Sequence, residues 1–250
     1  MMPGFTRRAL RLSLVASIGL GATAVASARE ATPHPHATQA ALFEPTPGSR
    51  HDFADVEHWR RVFDDPARDV WQKPRELVAA LALRPGAWVA DLGAGTGYFS
   101  RWLAAAVGPT GAVFAIDTEP NLVAHLRRRA EEERTPTVIP VLASADDPRL
   151  PPAALDLVLI VDTYHHLDAR LAYLRRLAAA LKPAGRVAIV DWEKRPLPVG
   201  PPPEHKLARA QVIEEMGAAG FALVDEPGLL PHQYFLVFAR GAQPIREGQH

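Results

Sequence analysis

The 250-residue chain reads as an α/β protein built around a doubly wound sheet. Three observations predict this. Short apolar runs alternate with amphipathic segments from about residue 72 to 240. A glycine-rich turn, Asp91-Leu92-Gly93-Ala94-Gly95-Thr96-Gly97, joins an apolar run (87–92) to an amphipathic one (98–107), giving strand, tight loop and helix in succession. Residues 155–161 are almost continuously apolar, as a central parallel strand covered on both faces must be.

The length allows one large domain or two small ones, and no internal repeat divides it. Hydrophobic residues make up 48%, enough for a sizeable core, and the formal net charge is zero, so bulk electrostatics point to neither nucleic acid nor acidic membranes. The chain has no cysteine, which excludes disulfides, thiolate metal sites and a cysteine nucleophile.

The first 28 residues read as an export signal: Arg7, Arg8 and Arg11 form a basic region, 12–25 an apolar one, and Ala26-Ser27-Ala28 a small-x-small cleavage site. The apolar run is shorter than the roughly 20 residues that span a bilayer. Either the general or the twin-arginine route fits, and the expected location is periplasmic or secreted, with no membrane insertion after cleavage. Residues 29–50, rich in proline, read as a flexible linker, and His34, His36 and His51 as a solvated stretch rather than a metal site. The folded domain is expected over 51–240, with 241–250 a tail.

Within the domain, 51–84 predicts two amphipathic helices, broken at Asp64-Asp65-Pro66, the second opening around Trp71-Gln72-Lys73-Pro74. Strands follow at 111–117, 137–142, 155–161 and 186–190. Helices are expected at 98–107, 122–133, 169–181 and 204–217. A terminal strand pair is expected at 221–226 and 233–239. Residues 196–203 hold five prolines and must be an extended loop.

The glycine loop selects the ligand class. The dinucleotide fingerprint G-x-G-x-x-G fails, because its third glycine falls on Tyr98 or Ser100, and a phosphate-binding Walker loop lacks its Gly-Lys-Ser/Thr. Asp-Leu-Gly-Ala-Gly-Thr-Gly instead closely resembles motif I of the class I S-adenosylmethionine (SAM) methyltransferases, and Leu181-Lys182-Pro183-Ala184-Gly185 ahead of a strand resembles the same family. The resemblance covers 72–240. It implies a Rossmann-like seven-stranded sheet in the order 3-2-1-4-5-7-6 with strand 7 antiparallel, N-terminal helices over the site, and SAM as cofactor. It also implies that Gly93, Ala94, Gly95, Thr96 and Gly97 pass under the methionine part of SAM, with Asp91 near its ammonium group. Asp117 then takes the ribose hydroxyls, or caps the next helix, or does both. Asp146 takes the adenine amino group, and Trp71 and Gln72 serve as lid residues, with ordinary core packing the alternative for Trp59 and Trp71. Asp162, which also borders the cofactor, stands with Tyr164, His165 and His166 at the position of motif IV, where the strand end faces the reacting group. His165, His166 and Asp162 are the candidate bases, and Tyr164 a candidate orienting group. Asp191, Trp192 and Glu193 end the following strand near the acceptor pocket.

The expected function is therefore in-line methyl transfer from SAM to a small-molecule acceptor, with no metal and no nucleic acid. Two other classes fit parts of the pattern: an exported SAM-binding protein without turnover, and an NAD-type binder, against which the missing third glycine counts.

Overall fold

The computed structural model describes residues 55–241. The expected export signal, the linker, residues 51–54 and the tail beyond Gly241 lie outside the described residues. Among the described residues no helix is long and apolar enough to cross a membrane.

Three short helices come first, where the sequence predicted two: α1 (Val56–Phe63), α2 (Arg68–Gln72) and α3 (Pro74–Ala80). Asp55 caps α1 by accepting the His58 N–H at 3.0 Å. The extra break falls at Lys73, whose left-handed φ of 45° ends α2, and Pro74, lacking an N–H, opens α3.

The doubly wound portion runs β1 (Trp88–Leu92), α4 (Tyr98–Val107), β2 (Ala112–Asp117), α5 (Pro120–Glu132), β3 (Val138–Leu142), β4 (Leu155–Val161), a 3₁₀ turn (Tyr164–His166), α6 (Arg170–Ala180), β5 (Leu181–Trp192), a second 3₁₀ turn (Pro203–His205), α7 (Arg209–Ala218), β6 (Phe221–Asp225) and β7 (Gln233–Arg240). The seven strands form one sheet in the order β3-β2-β1-β4-β5-β7-β6, and β7 runs antiparallel to both neighbours. This is the order the family resemblance implied.

Both faces of the sheet are covered, which is why β1 and β4 are buried on successive residues rather than alternately. Leu77, Val78, Leu103 and Val107 of α3 and α4 pack on one face, and Leu174, Leu177, Val212 and Met216 of α6 and α7 on the other. Two boundaries differ from expectation. β5 begins at Leu181 rather than residue 186, because Leu181 already pairs with Leu155 and a register shift absorbs the Lys-Pro-Ala-Gly stretch. The helix expected from residue 204 is split: after the 3₁₀ turn, Lys206 and Ala208 are extended and α7 starts at Arg209. Lys206 buries its side chain there and its Nζ donates to the Arg195 carbonyl at 2.9 Å, drawing the chain inward.

β1 pairs with β2 on one side and β4 on the other, so the connections leave in opposite directions and open a crevice at the carboxyl ends of these strands. The site lies in that crevice.

Candidate active site

A cavity of about 720 Å³ covers the carboxyl ends of β1, β2, β4 and β5. Small-molecule sites usually enclose about 300–1,000 Å³.

One end is made by the glycine loop. Gly93 and Ala94 both donate to the Ile116 carbonyl at 2.9 Å, which ties the loop to β2. At Gly93 φ is +75°, and a Cβ there would lie 2.2 Å from Thr163 Oγ1, so both conformation and space demand glycine. Gly95 donates its N–H to Asp117 Oδ2 at 2.8 Å, and Glu119 donates to Oδ1 at 3.0 Å. Asp117 is thus held at the end of β2 with lone pairs left on each oxygen for two vicinal hydroxyls. Burial raises its pKa. Asp91 is 3% exposed, borders the cavity and accepts the Ser100 hydroxyl at 2.6 Å. Burial pushes its pKa up to about 6. A carboxylate so desolvated suits a cationic group, which would restore the stability of its charged form. The donor set here therefore fits SAM: a carboxylate for the ammonium, a second for the ribose, and backbone free of Cβ atoms between them.

The other end is made by β4, β5 and the proline-rich loop. His165 Nδ1 lies 2.8 and 3.0 Å from the two oxygens of Asp191, and its backbone N–H donates to the same carboxylate at 3.2 Å. Asp191 is fully buried and also accepts the Trp192 N–H at 2.8 Å. Burial pushes the His165 pKa down, but the Asp191 charge and hydrogen bond outweigh it, and the net shift is upward. His166 lies beside it, the ring centroids 4.1 Å apart and the planes tilted by 42°, and also borders the cavity.

Between the two ends lies Asp162, in a left-handed conformation with φ 52°. Burial pushes its pKa up to about 7, against the pull of Arg68. Arg68 of α2 donates to it at 3.2 Å, and Gln233, the first residue of β7, donates to its other oxygen. Arg68 also donates to Gln72 Oε1 at 2.8 Å, and Gln72 donates to Gln233 Oε1 at 2.7 Å. This closed ring of polar groups fastens α2 to the sheet. α1 is fastened separately: Asp64 accepts the Thr96 hydroxyl and the Arg129 guanidinium, both at 2.9 Å, and Phe63 lies over Gly95.

The sequence-expected residues divide accordingly. Asp91, Gly93, Ala94, Gly95, Thr96, Asp117, Asp162, His165 and His166 all border the cavity. Gly97, Asp146 and Tyr164 do not. Gly97 caps α4 with φ +88° and packs under Leu126. Asp146 is turned outward by the tight turn between Ser144 and Asp147 and pairs with Arg176, leaving Ser144 and Ala145 in the wall. Tyr164 is fully buried on the α6 side of the sheet, its hydroxyl donating to Glu215 at 2.8 Å, so its backbone reaches the strand end while its side chain goes to the core. Of the two lid candidates, Trp71 borders the cavity, its ring centroid 5.2 Å from that of Trp192, whereas Gln72 is buried in the polar ring. Arg68, Gln233 and Lys206 were not singled out by sequence reasoning. Their partners lie far away in the chain, and no local pattern marks them.

Comparison with known proteins agrees with this geometry. A family model described as a methyltransferase domain matches residues 89–185. The ubiquinone/menaquinone biosynthesis C-methyltransferase UbiE of Burkholderia vietnamiensis is 34% identical over 120 residues, which is 47% of this chain and 48% of that protein. The chain thus spans about half the length of the curated relatives it matches. A SAM-dependent methyltransferase from Aquifex aeolicus superposes with a TM-score of 0.71 at 25% identity, covering 76% of this chain and 98% of that one. A TehB-like SAM-dependent methyltransferase from Corynebacterium glutamicum, at 18% identity and a TM-score of 0.59, shares the fold over 76% of this chain and all (100%) of that one. Residues 89–185 thus match a methyltransferase domain, and the chain has the strand order and the glycine loop expected of a class I SAM-dependent methyltransferase.

Proposed function

We propose that the protein transfers the methyl group of SAM to a small-molecule acceptor whose nucleophilic atom carries a proton, with His165 as the base. One observation carries this: His165, held from behind by buried Asp191, borders the same cavity as the glycine loop. SAM, when bound, supplies an electrophilic methyl on a sulfonium with a neutral leaving group, so much of the acceleration can come from orientation. Asp91 and Asp117 hold and orient the cofactor. Asp191, accepting the Nδ1–H, fixes the tautomer of His165 and leaves the Nε2 lone pair for the proton of the acceptor. The α1 and α2 clamps, with Trp71 beside Trp192, exclude water from the methyl path. The name of the Burkholderia relative, a C-methyltransferase, supports including acidic C–H acceptors beside hydroxyls and amines.

The test is calorimetric titration with SAM and S-adenosylhomocysteine (SAH), using Asp117→Ala as control, followed by transfer from methyl-labelled SAM to phenol, amine and acidic C–H acceptors. Binding weakened by the control, and transfer lost in His165→Ala, are the expected results. A folded sample that binds neither ligand overturns the reading. Binding without transfer to any acceptor class replaces it with a SAM-binding protein lacking turnover. The sequence of residues 1–28 also supports export, which cell fractionation and N-terminal sequencing of the mature protein check.

A further inference from the structure

We infer that Lys206 anchors an anionic oxygen of the acceptor, so that the acceptors are small molecules with an apolar body and a carboxylate or ionised hydroxyl. This rests on the methyltransferase reading above and narrows its substrate class.

Lys206 is 1% exposed and borders the cavity on the acceptor side. Lysine is almost never so buried without a paired charge. Its one hydrogen-bond acceptor among the described residues is the Arg195 carbonyl at 2.9 Å, which leaves two of the three ammonium protons unassigned. No carboxylate pairs with it among the described residues, whereas Arg68, the other long-chain cation of the wall, is paired with Asp162. Burial and Arg195 push the Lys206 pKa down, and the charges of Asp191 and Glu204 only partly counter this. A bound anion would supply the missing partner.

A further feature fits. The Lys206 ammonium lies 6.0 Å from the Trp192 ring centroid, and Trp71 stands against that ring, so the charge sits beside an apolar aromatic surface that can seat the body of the acceptor. Buried Asp91 lies at the cofactor end of the cavity, whereas the buried Lys206 ammonium lies on the acceptor side with Glu204 nearby in the wall.

Benzoate and benzamide, alike in shape and unlike in charge, serve as probes on the full protein saturated with SAH, which blocks the cofactor end. Binding is read by NMR titration in wild type, Lys206→Met and Lys206→Arg, with SAH affinity measured in each. Wild type should bind benzoate at least about tenfold more tightly than benzamide. In Lys206→Met the ratio should fall to about one, in Lys206→Arg most of it should return, and SAH affinity should hold in both. A lysine that only braces the loop at Arg195 would weaken both probes together and leave their ratio intact, which overturns the inference. So does equal binding of the two probes to wild type, or no saturable benzoate binding. Failure of wild type to bind SAH removes the methyltransferase reading itself, whereas SAH binding without benzoate preference removes only the assignment of Lys206.

Discussion

The two ends of the cavity place their polar groups by different means. Under the glycine loop, position is set by backbone and by partners near in sequence: Gly93 and Ala94 hang from the Ile116 carbonyl, Gly95 holds Asp117, and Asp91 accepts the hydroxyl of Ser100 nine residues away. Across the cavity, position is set by side chains from distant segments: Asp191 aims His165 from the next strand, and Gln72 meets Gln233 across 161 residues. A backbone-built end is intolerant of any added atom but needs few particular side chains. A side-chain-built end tolerates changes of shape but loses its chemistry when one partner goes. The first therefore suits an invariant cofactor, and the second a variable acceptor.

The contrast is most severely tested at His165. His165→Ala should lower methyl transfer by about 10²–10⁴-fold, the usual worth of a positioned base, while SAH affinity changes by less than about threefold. A matching loss of SAH affinity would mean that the two ends are not separable. Asp191→Asn offers a readout independent of the acceptor. His165 should titrate above the usual 6.5 in wild type and lower in the variant, where burial is opposed only by the smaller influence of Asp162, as followed by NMR. The sign for stability follows: the contribution of the pair is complete below about pH 6.5 and is lost as pH rises through the raised folded pKa. Transfer should rise over that same range as the base becomes neutral.

At the other end, Gly93→Ala should abolish measurable SAH binding, a loss of at least about 100-fold, and destabilise the fold by about 2–4 kcal/mol through strain and overpacking against Thr163. Gly217→Ala is the counterpart. It lies within α7 with open space around the added Cβ, and should stabilise by about 0.5–1 kcal/mol in thermal unfolding.

Asp91→Asn should show opposite signs for folding and binding. A carboxylate whose folded pKa is raised costs stability progressively from pH 3.8 to about 6 and throughout the range above. At pH 8 the unliganded variant should therefore be more stable by about 1–3 kcal/mol. Its affinity for SAM should fall by about 10–100-fold with the lost charge-assisted bond. In wild type, SAM affinity should weaken as pH drops below about 6, where Asp91 takes up a proton. The smallest effect belongs to Asp146→Ala: the side chain is exposed and turned to Arg176, so SAH affinity should stay within about twofold. A large loss there would put the adenine contact back on Asp146.

The same difference in construction decides what the sequence reveals. The placement of Gly93 to Thr96 and Asp117 at the crevice could be read because a strand–glycine–helix unit specifies its own geometry within some 30 residues. The buried runs of β1 and β4 gave the parallel core for a similarly local reason. The strand order needed the family resemblance, since periodicity carries no information on neighbours. Asp146 and Tyr164 show the opposite limit. Their positions in the chain were right for the crevice, but a tight turn carries one outward and a partner 51 residues away, Glu215, holds the other in the core. Lys206 was hidden because its burial depends on Arg195, which the proline-rich loop brings back to it.

The contact between Gly93 and Thr163 also couples two positions 70 residues apart in their freedom to vary. An alanine at 93 asks for the volume that the Thr163 side chain fills, so Gly93→Ala and Thr163→Gly together should be less harmful than the sum of the two changes. The compensation is partial, because the positive φ at 93 persists after the collision is relieved. In a library randomised at both positions and selected for SAM binding, glycine should dominate at 93. The rare exceptions should appear only on backgrounds where 163 has become smaller, an epistasis set by a few ångströms of van der Waals space.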